Sequence, residues 1–368
     1  MKIGLDDIVA AETVLSDVDG EKGRLIIRGS YLDDLAGHST YEEVLVRLFS
    51  GFFDDLPAAP ELQAALGLAR IEVFDHLRFA DHALFELGPV DALRALIARI
   101  NDGDDLRTAL RLVAAPAVFT AGLIRLRQGR DLIAPDATRD HATDTLIMAG
   151  ISASPEQKHA LGTYLVTIVD HGLNASTFAA RVVASTRAGL VSSVLAAISA
   201  LKGPLHGGAP GPVLDTLDAI GHVERVEAWL DNAVNRGERL MGFGHRIYRV
   251  RDPRADALKA ALDALSTSGQ VESSRLKLAK AVEAAALDIL RRRKPDRPLQ
   301  TNVEFYTALL LDSLGFERSM FTCVFAIGRI AGWIAHAREQ TLTGRLIRPQ
   351  SLYIGPPPLP PNEANIKR

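Results

Sequence analysis

Beyond one short hairpin signal near its start, this chain repeats apolar residues at helical spacing almost to its end, with no second trustworthy run of strand-type alternation. A chain patterned this way buries its apolar faces by packing helix on helix. The hairpin signal lies in VAAETVLSDVDGEKGRLIIRG, where two short apolar runs flank Ser16-Asp17-Val18-Asp19-Gly20 and Leu25, Ile26 and Ile27 form the second strand. From Thr40 onward the period is helical. YEEVLVRLFSG runs amphipathically to Gly51, PELQAALGLAR starts on a proline suited to a first turn, and GPVDALRALIARI follows. The stretch DDLRTALRLVAAPAVFTAGLIRLRQG reads as a pair of helices broken around Pro116. HATDTLIMAG, PEQKHALGTYLVTIVDHG and STFAARVVASTRAGLVSSVLAAISALKG continue the series. The last two are rich in small residues that let helices approach closely, in a central bundle or at a subunit interface.

After Pro210 the composition becomes more charged. VLDTLDAIGHVERVEAWLDNAVNRG, ADALKAALDALSTSG and SRLKLAKAVEAAALDILRRRK read as surface helices, the last ending in a basic run that suits its dipole. Gly315 closes a further helix, and SMFTCVFAIGRIAGWIAHAREQ is again apolar. The tail GPPPLPPNEANIKR carries too much proline for a helix. The expected organisation is a large helical domain made of residues 1–210 and 316–368, with a smaller domain of residues 211–315 inserted between its parts. A cleft between such parts is a usual place for a substrate.

Composition narrows the class of function. The 368 residues are 47% hydrophobic and 24% charged, as in globular proteins, and the net charge of -3 argues against a nucleic-acid or membrane partner. A single cysteine, Cys323, rules out an internal disulfide framework. The start MKIGLDDIV places acidic residues where a signal peptide needs an apolar run, and no stretch approaches about 20 uninterrupted apolar residues, so a cytoplasmic location is expected.

Four polar, glycine-containing interruptions are candidates for chemistry. They are Asp170-His171-Gly172-Leu173-Asn174-Ala175-Ser176; Lys202-Gly203-Pro204-Leu205-His206-Gly207-Gly208-Ala209-Pro210; Met241 to Arg249 with Asp252-Pro253-Arg254 behind it; and Asn302-Val303-Glu304-Phe305-Tyr306. Taken singly, each has a plain structural reading, since loop histidines often only pack, glycine turns cap helices, and a carboxylate at a helix start is favoured by the dipole. Together, two glycine-flanked histidines, a group of arginines and a carboxylate suit acid–base work on a phosphorylated or carboxylated substrate. A metal site is disfavoured, because neither an HExxH nor a CxxC pair is present. His336, in an apolar helix, reads as a core residue.

GPLHGGAP, MGFGHRIYR with DPR, and NVEFY, in that order, resemble the signature blocks of the citrate synthase family. AETVLSDVDGEKGRLIIRG and GRLIRPQSLYIGP resemble the ends of its short bacterial and archaeal forms, so the likeness spans nearly the whole chain. The resemblance implies an all-α, citrate synthase-like homodimer in which a small helical domain closes over a cleft in the large one, and the chain tail reaches the partner subunit. It implies no tightly bound cofactor and no metal, with a coenzyme A thioester as co-substrate. Glu304 would take a proton from the methyl group of acetyl-CoA while His206 hydrogen-bonds the thioester oxygen. His245 would polarise the carbonyl of oxaloacetate. His171, Arg254 and Arg329 would bind that acid, Arg348 would arrive from the other subunit, and Arg249 would meet the phosphate region of coenzyme A. The product thioester would then be hydrolysed to citrate.

Two positions depart from the pattern. Glu304 stands where most of the family has aspartate, one methylene shorter, and Pro210 where the GPLHGGAN form has asparagine. Proton abstraction depends on placement at about the 1 Å scale, which leaves three readings: a shifted backbone brings Glu304 to the same point, the enzyme is slow or prefers another substrate, or the synthase reaction is lost. Asp312, eight residues on, is about 12 Å away along a helix and does not substitute for it. The activities to be separated are citrate synthesis, 2-methylcitrate synthesis from propionyl-CoA, and a non-catalytic regulatory or scaffolding homodimer. The first two substrates differ by one methylene, worth only about 1–3 kcal/mol of discrimination.

Overall fold

The structure is a computed structural model that describes residues 3–5, 8–79, 82–207, 210–245, 247–267, 269, 273–295 and 299–358. Gly208, Ala209, Arg246 and the end of the proline-rich tail from 359 onward lie outside the described residues.

Three short strands open the fold: β1 (Ser16–Asp19), β2 (Arg24–Ile27) and β3 (Ser30–Tyr31), in one antiparallel sheet of order β1-β2-β3 with Ser16 opposite Ile27 and Ile26 opposite Tyr31. The expected hairpin is therefore present, with a third strand too short to read from the sequence. The rest is helical: α1 (Leu32–Leu35), α2 (Tyr41–Phe49), α3 (Ala59–Arg78), α4 (Ala83–Glu86), α5 (Pro89–Ile97), α6 (Leu106–Arg127), α7 (His141–Met148), α8 (Pro155–Ile168), α9 (Ala175–Ala184), α10 (Leu190–Leu201), α11 (Pro210–Ile220), α12 (Val226–Asn235), α13 (Pro253–Thr267), α14 (Ser273–Arg293), α15 (Val303–Ser313) and α16 (Phe321–Thr343). Among the described residues the fold is all-α with this one small sheet.

Local chemistry accounts for several helix starts. Thr40 and Glu43 form a reciprocal capping box at α2, and Ser154 with Gln157 forms another at α8, where Pro155 occupies the first turn. Asp105 and Asn174 cap α6 and α9 by accepting the amides of Thr108 and Thr177. α15 closes as expected, with Gly315 in the left-handed region and Phe316 N–H donating to the Leu311 carbonyl.

Three expectations change. Pro116 does not divide a pair of helices, because α6 runs unbroken through it. Every residue from Leu112 to Ile124 is buried among α3, α5, α7 and α16, and this packing offsets the roughly 3 kcal/mol cost of an internal proline. The small-residue stretch 176–203 is two packed helices, turned at Gly189 (φ 97°), with Asp102 from a distant loop accepting the Val191 and Ser192 amides at the start of α10. α13 is not simply a surface helix, since α15 and α8 both pack on it and bury Arg254, Leu258, Ala261 and Leu265.

The centre of the molecule is α16, which packs against α2, α5, α6, α8, α9 and α10. Its glycines admit close neighbours: a Cβ at Gly332 would lie 2.3 Å from the Val169 carbonyl oxygen. That contact seats the Asp170-His171 turn directly on α16. α6 and the α16 region are long and apolar enough to cross a membrane by length and composition, yet 83% and 89% of their apolar windows are buried inside the protein, as expected of core helices. The N-terminal hairpin reaches the 245–251 loop: the Arg249 amide donates to the Gly20 carbonyl at 2.9 Å, and a Cβ on Gly20 would meet the Ile247 carbonyl oxygen at 2.3 Å.

Candidate functional site

The 241–254 loop is built around glycines. Gly242 (φ 87°) and Gly244 (φ 82°) sit in the left-handed region, and a side chain on either would collide with Phe305 or Leu299. This conformation lets Phe243 form an antiparallel bridge with Thr301, so that Gly244 N–H donates to the Gln300 carbonyl (2.7 Å) and Asn302 N–H to the Gly242 carbonyl (3.0 Å). Asn302 then does two jobs. Its Nδ2 donates to the Gly244 carbonyl at 2.8 Å, and its Oδ1 accepts the Glu304 amide at 3.0 Å, capping α15. The loop bearing His245 and the helix bearing Glu304 are thus one hydrogen-bonded unit.

His245 accepts two backbone amides at Nδ1, from Ile247 (3.0 Å) and Tyr248 (3.1 Å). Burial and then the Arg254 charge push its pKa down to about 4, so the ring is neutral near pH 7 with its one proton on Nε2. Arg254 Nη2 lies 3.3 Å from that Nε2. Since a guanidinium only donates, the two nitrogens form a side-by-side donor pair suited to one carbonyl or carboxylate oxygen. Asp252, itself buried, accepts from Arg254 Nε (3.0 Å) and Nη2 (2.8 Å) and from the Val303 amide (3.2 Å), fixing the guanidinium and satisfying a helix-start donor.

His171 is 6% exposed, and its ring meets that of His245 edge-on at 5.6 Å. Burial, then the charges of Arg254 and Arg329 and the neighbouring His245 ring, lower its pKa well below the usual range. Arg329, on α16, is buried, donates through Nε to the Ile168 carbonyl and lies over the Phe325 ring. Burial lowers its pKa to about 10, partly offset by Asp170, and it remains a cation. Glu304 receives opposing influences. Burial raises its pKa to about 7, with Arg254 and Arg329 pulling it down and Asp252 pushing it up.

His206 joins the site through Ser176, in the first turn of α9. Its Nε2 lies 2.8 Å from Ser176 Oγ, which also accepts the Trp333 indole N–H (3.1 Å) and lies 2.8 Å from Asn174 Oδ1. Burial and then Arg329 lower the His206 pKa to about 4. The Ser176 hydroxyl has one proton and two acceptors within reach; when His206 Nε2 takes it, the imidazole keeps its own proton on Nδ1.

Of the eight residues singled out from the sequence, six therefore interact as one cluster: His171, His206, His245, Arg254, Glu304 and Arg329. Arg249 is exposed on the same loop as His245. Arg348 is not brought in by its own chain. It is exposed, and the adjacent Ile347 amide is bound to Ser185, just past the end of α9 and about 13 Å along it from Ser176 at 1.5 Å per residue. Asp312 pairs with Arg275 at 2.8 Å and plays no part in the cluster. His336 is fully buried as expected, held between Arg181 and Asp170. Ser176, Tyr248, Asp252 and Trp333 had no assigned role from the sequence, although the first three lie within the quoted stretches. No group of residues suited to hold a metal ion occurs among the described residues.

The geometry has close relatives. The family model described as "Citrate synthase, C-terminal domain" matches residues 4–350. This chain belongs to the citrate synthase family. A putative citrate synthase 2 of Mycobacterium tuberculosis is 36% identical, over 98% of this chain and 95% of that protein. The crystal structure of citrate synthase from Thermotoga maritima superposes with a TM-score of 0.83 at 32% identity, covering 99% of both chains. The citrate synthase of Thermoplasma acidophilum, solved as a ternary complex with carboxymethyl coenzyme A and oxaloacetate, gives 0.83 at 29% identity over 98% of both chains. The citrate synthase fold expected from the signature blocks is the fold observed.

Proposed function

We propose that the protein condenses acetyl-CoA with oxaloacetate and hydrolyses the resulting thioester to citrate and coenzyme A. The observation that carries this reading is the placing of one carboxylate, Glu304, at the start of α15 beside Arg254 and Arg329, the same arginines that act on the neutral His171, His206 and His245. A carboxylate with a pKa of about 7 is a better base toward a carbon acid than an ordinary one, and positive neighbours favour the charge that develops. Glu304 takes a methyl proton from the thioester, and His206 donates a hydrogen bond to the thioester oxygen as the enolate or enol forms. The donor pair of His245 Nε2 and Arg254 Nη2 polarises the keto group that the new carbon nucleophile attacks. Arg329 and His171 hold carboxylate oxygens of the acid, and the exposed Arg249 meets the coenzyme A phosphates.

The working unit in this reading is a homodimer. Arg348 sits at the far end of α9 from its own site, so the partner subunit's site is the one it completes. Residues 211–315 act as the domain that closes, excluding water from the proton-transfer step and admitting it for hydrolysis.

The test is release of free coenzyme A by the purified protein with oxaloacetate, comparing acetyl-CoA and propionyl-CoA, each also run without acceptor. Turnover above the acceptor-free control, with kcat/KM favouring acetyl-CoA, is expected. A preference for propionyl-CoA reassigns the protein to 2-methylcitrate synthesis. Absence of release with both donors overturns the reading in favour of a non-catalytic homodimer or a changed substrate.

A further inference from the structure

Tyr248 touches both histidines of the proposed acid-binding pair, and it does so in two different ways. Its backbone amide donates to His245 Nδ1 at 3.1 Å, whereas its side-chain hydroxyl lies 3.2 Å from His171 Nε2. The ring packs 4.9 Å from the His245 ring and 5.6 Å from that of His171, with the Arg254 guanidinium 5.8 Å from its centroid. At 3% exposure the side chain is locked in place. We propose that Tyr248 is a positioning residue that imposes opposite tautomers on the two histidines, Nε2–H on His245 and Nδ1–H on His171, so that each presents a donor to the anionic substrate.

A neutral imidazole has one proton and two nitrogens, and the partner of one nitrogen decides what the other offers. Two backbone amides at His245 Nδ1 leave its proton on Nε2, beside Arg254. At His171 the choice falls to a hydroxyl, which can donate or accept. Among the described residues His171 Nδ1 has no hydrogen-bond partner, and the charges nearest the ring are the cations Arg254 and Arg329. A pocket of that sign gathers carboxylate, which needs an N–H facing it. The tyrosine hydroxyl therefore donates to Nε2 and the proton stays on Nδ1. Burial raises the Tyr248 pKa, so the phenol keeps the proton it must share.

The role assigned to His171 rests on the function proposed above, and the experiment separates the two. Histidine-labelled protein is examined by long-range proton–nitrogen NMR, with His171→Asn assigning the signals, and Tyr248→Phe is compared with the wild type. The expected result is a protonated Nδ1 on His171 and a protonated Nε2 on His245 in the wild type. In Tyr248→Phe, His171 should shift toward Nε2–H while His245 is unchanged, since its amide partners remain. KM for oxaloacetate should rise roughly tenfold, the weight of one hydrogen bond, with kcat altered far less. A protonated Nε2 on His171 in the wild type overturns the proposal without recourse to any variant, as does an unchanged His171 tautomer in a folded Tyr248→Phe protein. Lack of turnover in the wild type would instead count against the proposed function, and the tautomers would still be read.

Discussion

The turn around His206 and the loop around His245 look alike in the sequence, each a histidine beside glycine, and the fold secures them by different means. His245 is held by backbone: two amides fix its Nδ1, a bridge ties Phe243 to Thr301, and the Gly20 carbonyl holds the Arg249 amide. The His206 turn also has backbone bonds, from the His206 and Gly207 amides to the Gly203 carbonyl, but its ring is held by a side chain, the Ser176 hydroxyl, whose own position depends on Asn174 and Trp333. Backbone tethers persist through most substitutions, whereas a hydroxyl can be removed by one. The His245 side is therefore the more robust of the two to point changes at its partners, and the His206 side the more easily detuned.

The largest effect is expected at Glu304, the proposed base. Glu304→Gln should lower turnover by roughly 10³-fold while leaving oxaloacetate binding nearly intact, measured by steady-state kinetics beside calorimetric binding. Unchanged turnover would remove Glu304 as the base and with it the functional link between the two histidines. In the wild type, kcat/KM should rise with pH to a plateau with its midpoint near 7, because the base must lose its proton; His206 and His245, near 4, add no limb there. The stability sign is opposite. A folded pKa raised from 4.5 to about 7 means that the native state holds the proton longer, so this group's contribution is fully present below about pH 4.5 and lost as pH rises to about 7. Glu304→Gln should flatten that slope in denaturant titrations across the same window.

A paired substitution tests the comparison itself. Ser176→Ala should slow turnover roughly tenfold by freeing the His206 ring, with little change in KM for oxaloacetate. Asn302→Ala should disturb both Glu304 and the His245 loop, raising that KM as well as lowering kcat, and costing about 1 kcal/mol of stability through the lost cap. If both variants give the same pattern of kcat and KM, the two histidines are not separately anchored. The smallest effect is expected at Gly20→Ala, where the new methyl must displace the Ile247 carbonyl. A few-fold rise in KM for the thioester, alongside a lowered melting temperature from the displaced Ile247 backbone, would show that the hairpin sets the loop bearing Arg249. No change in KM would limit the hairpin to a packing role.

Much of this was written in the sequence. The helical period, the hairpin at 16–27, the cap at Asn174 and the glycine stop at Gly315 are local signals, decided within a few residues, and the fold follows them. Four of the cluster residues, His206, His245, Arg254 and Glu304, could be named because the signature blocks carry them in order, and His171 and Arg329 followed from the wider family resemblance. What the sequence could not decide depends on contacts far apart in the chain. Pro116 lies within an unbroken helix because neighbours bury it, α10 is capped by Asp102 from another loop, and α13 is covered by α8. The same holds at the site. A histidine is written identically whichever nitrogen holds its proton, and a glutamate whether its pKa is ordinary or about 7. Those properties come from Ser176, Tyr248, Asp252 and the arginines placed around them, and only tertiary packing brings such groups within 3 Å or so and removes the water that would otherwise screen them.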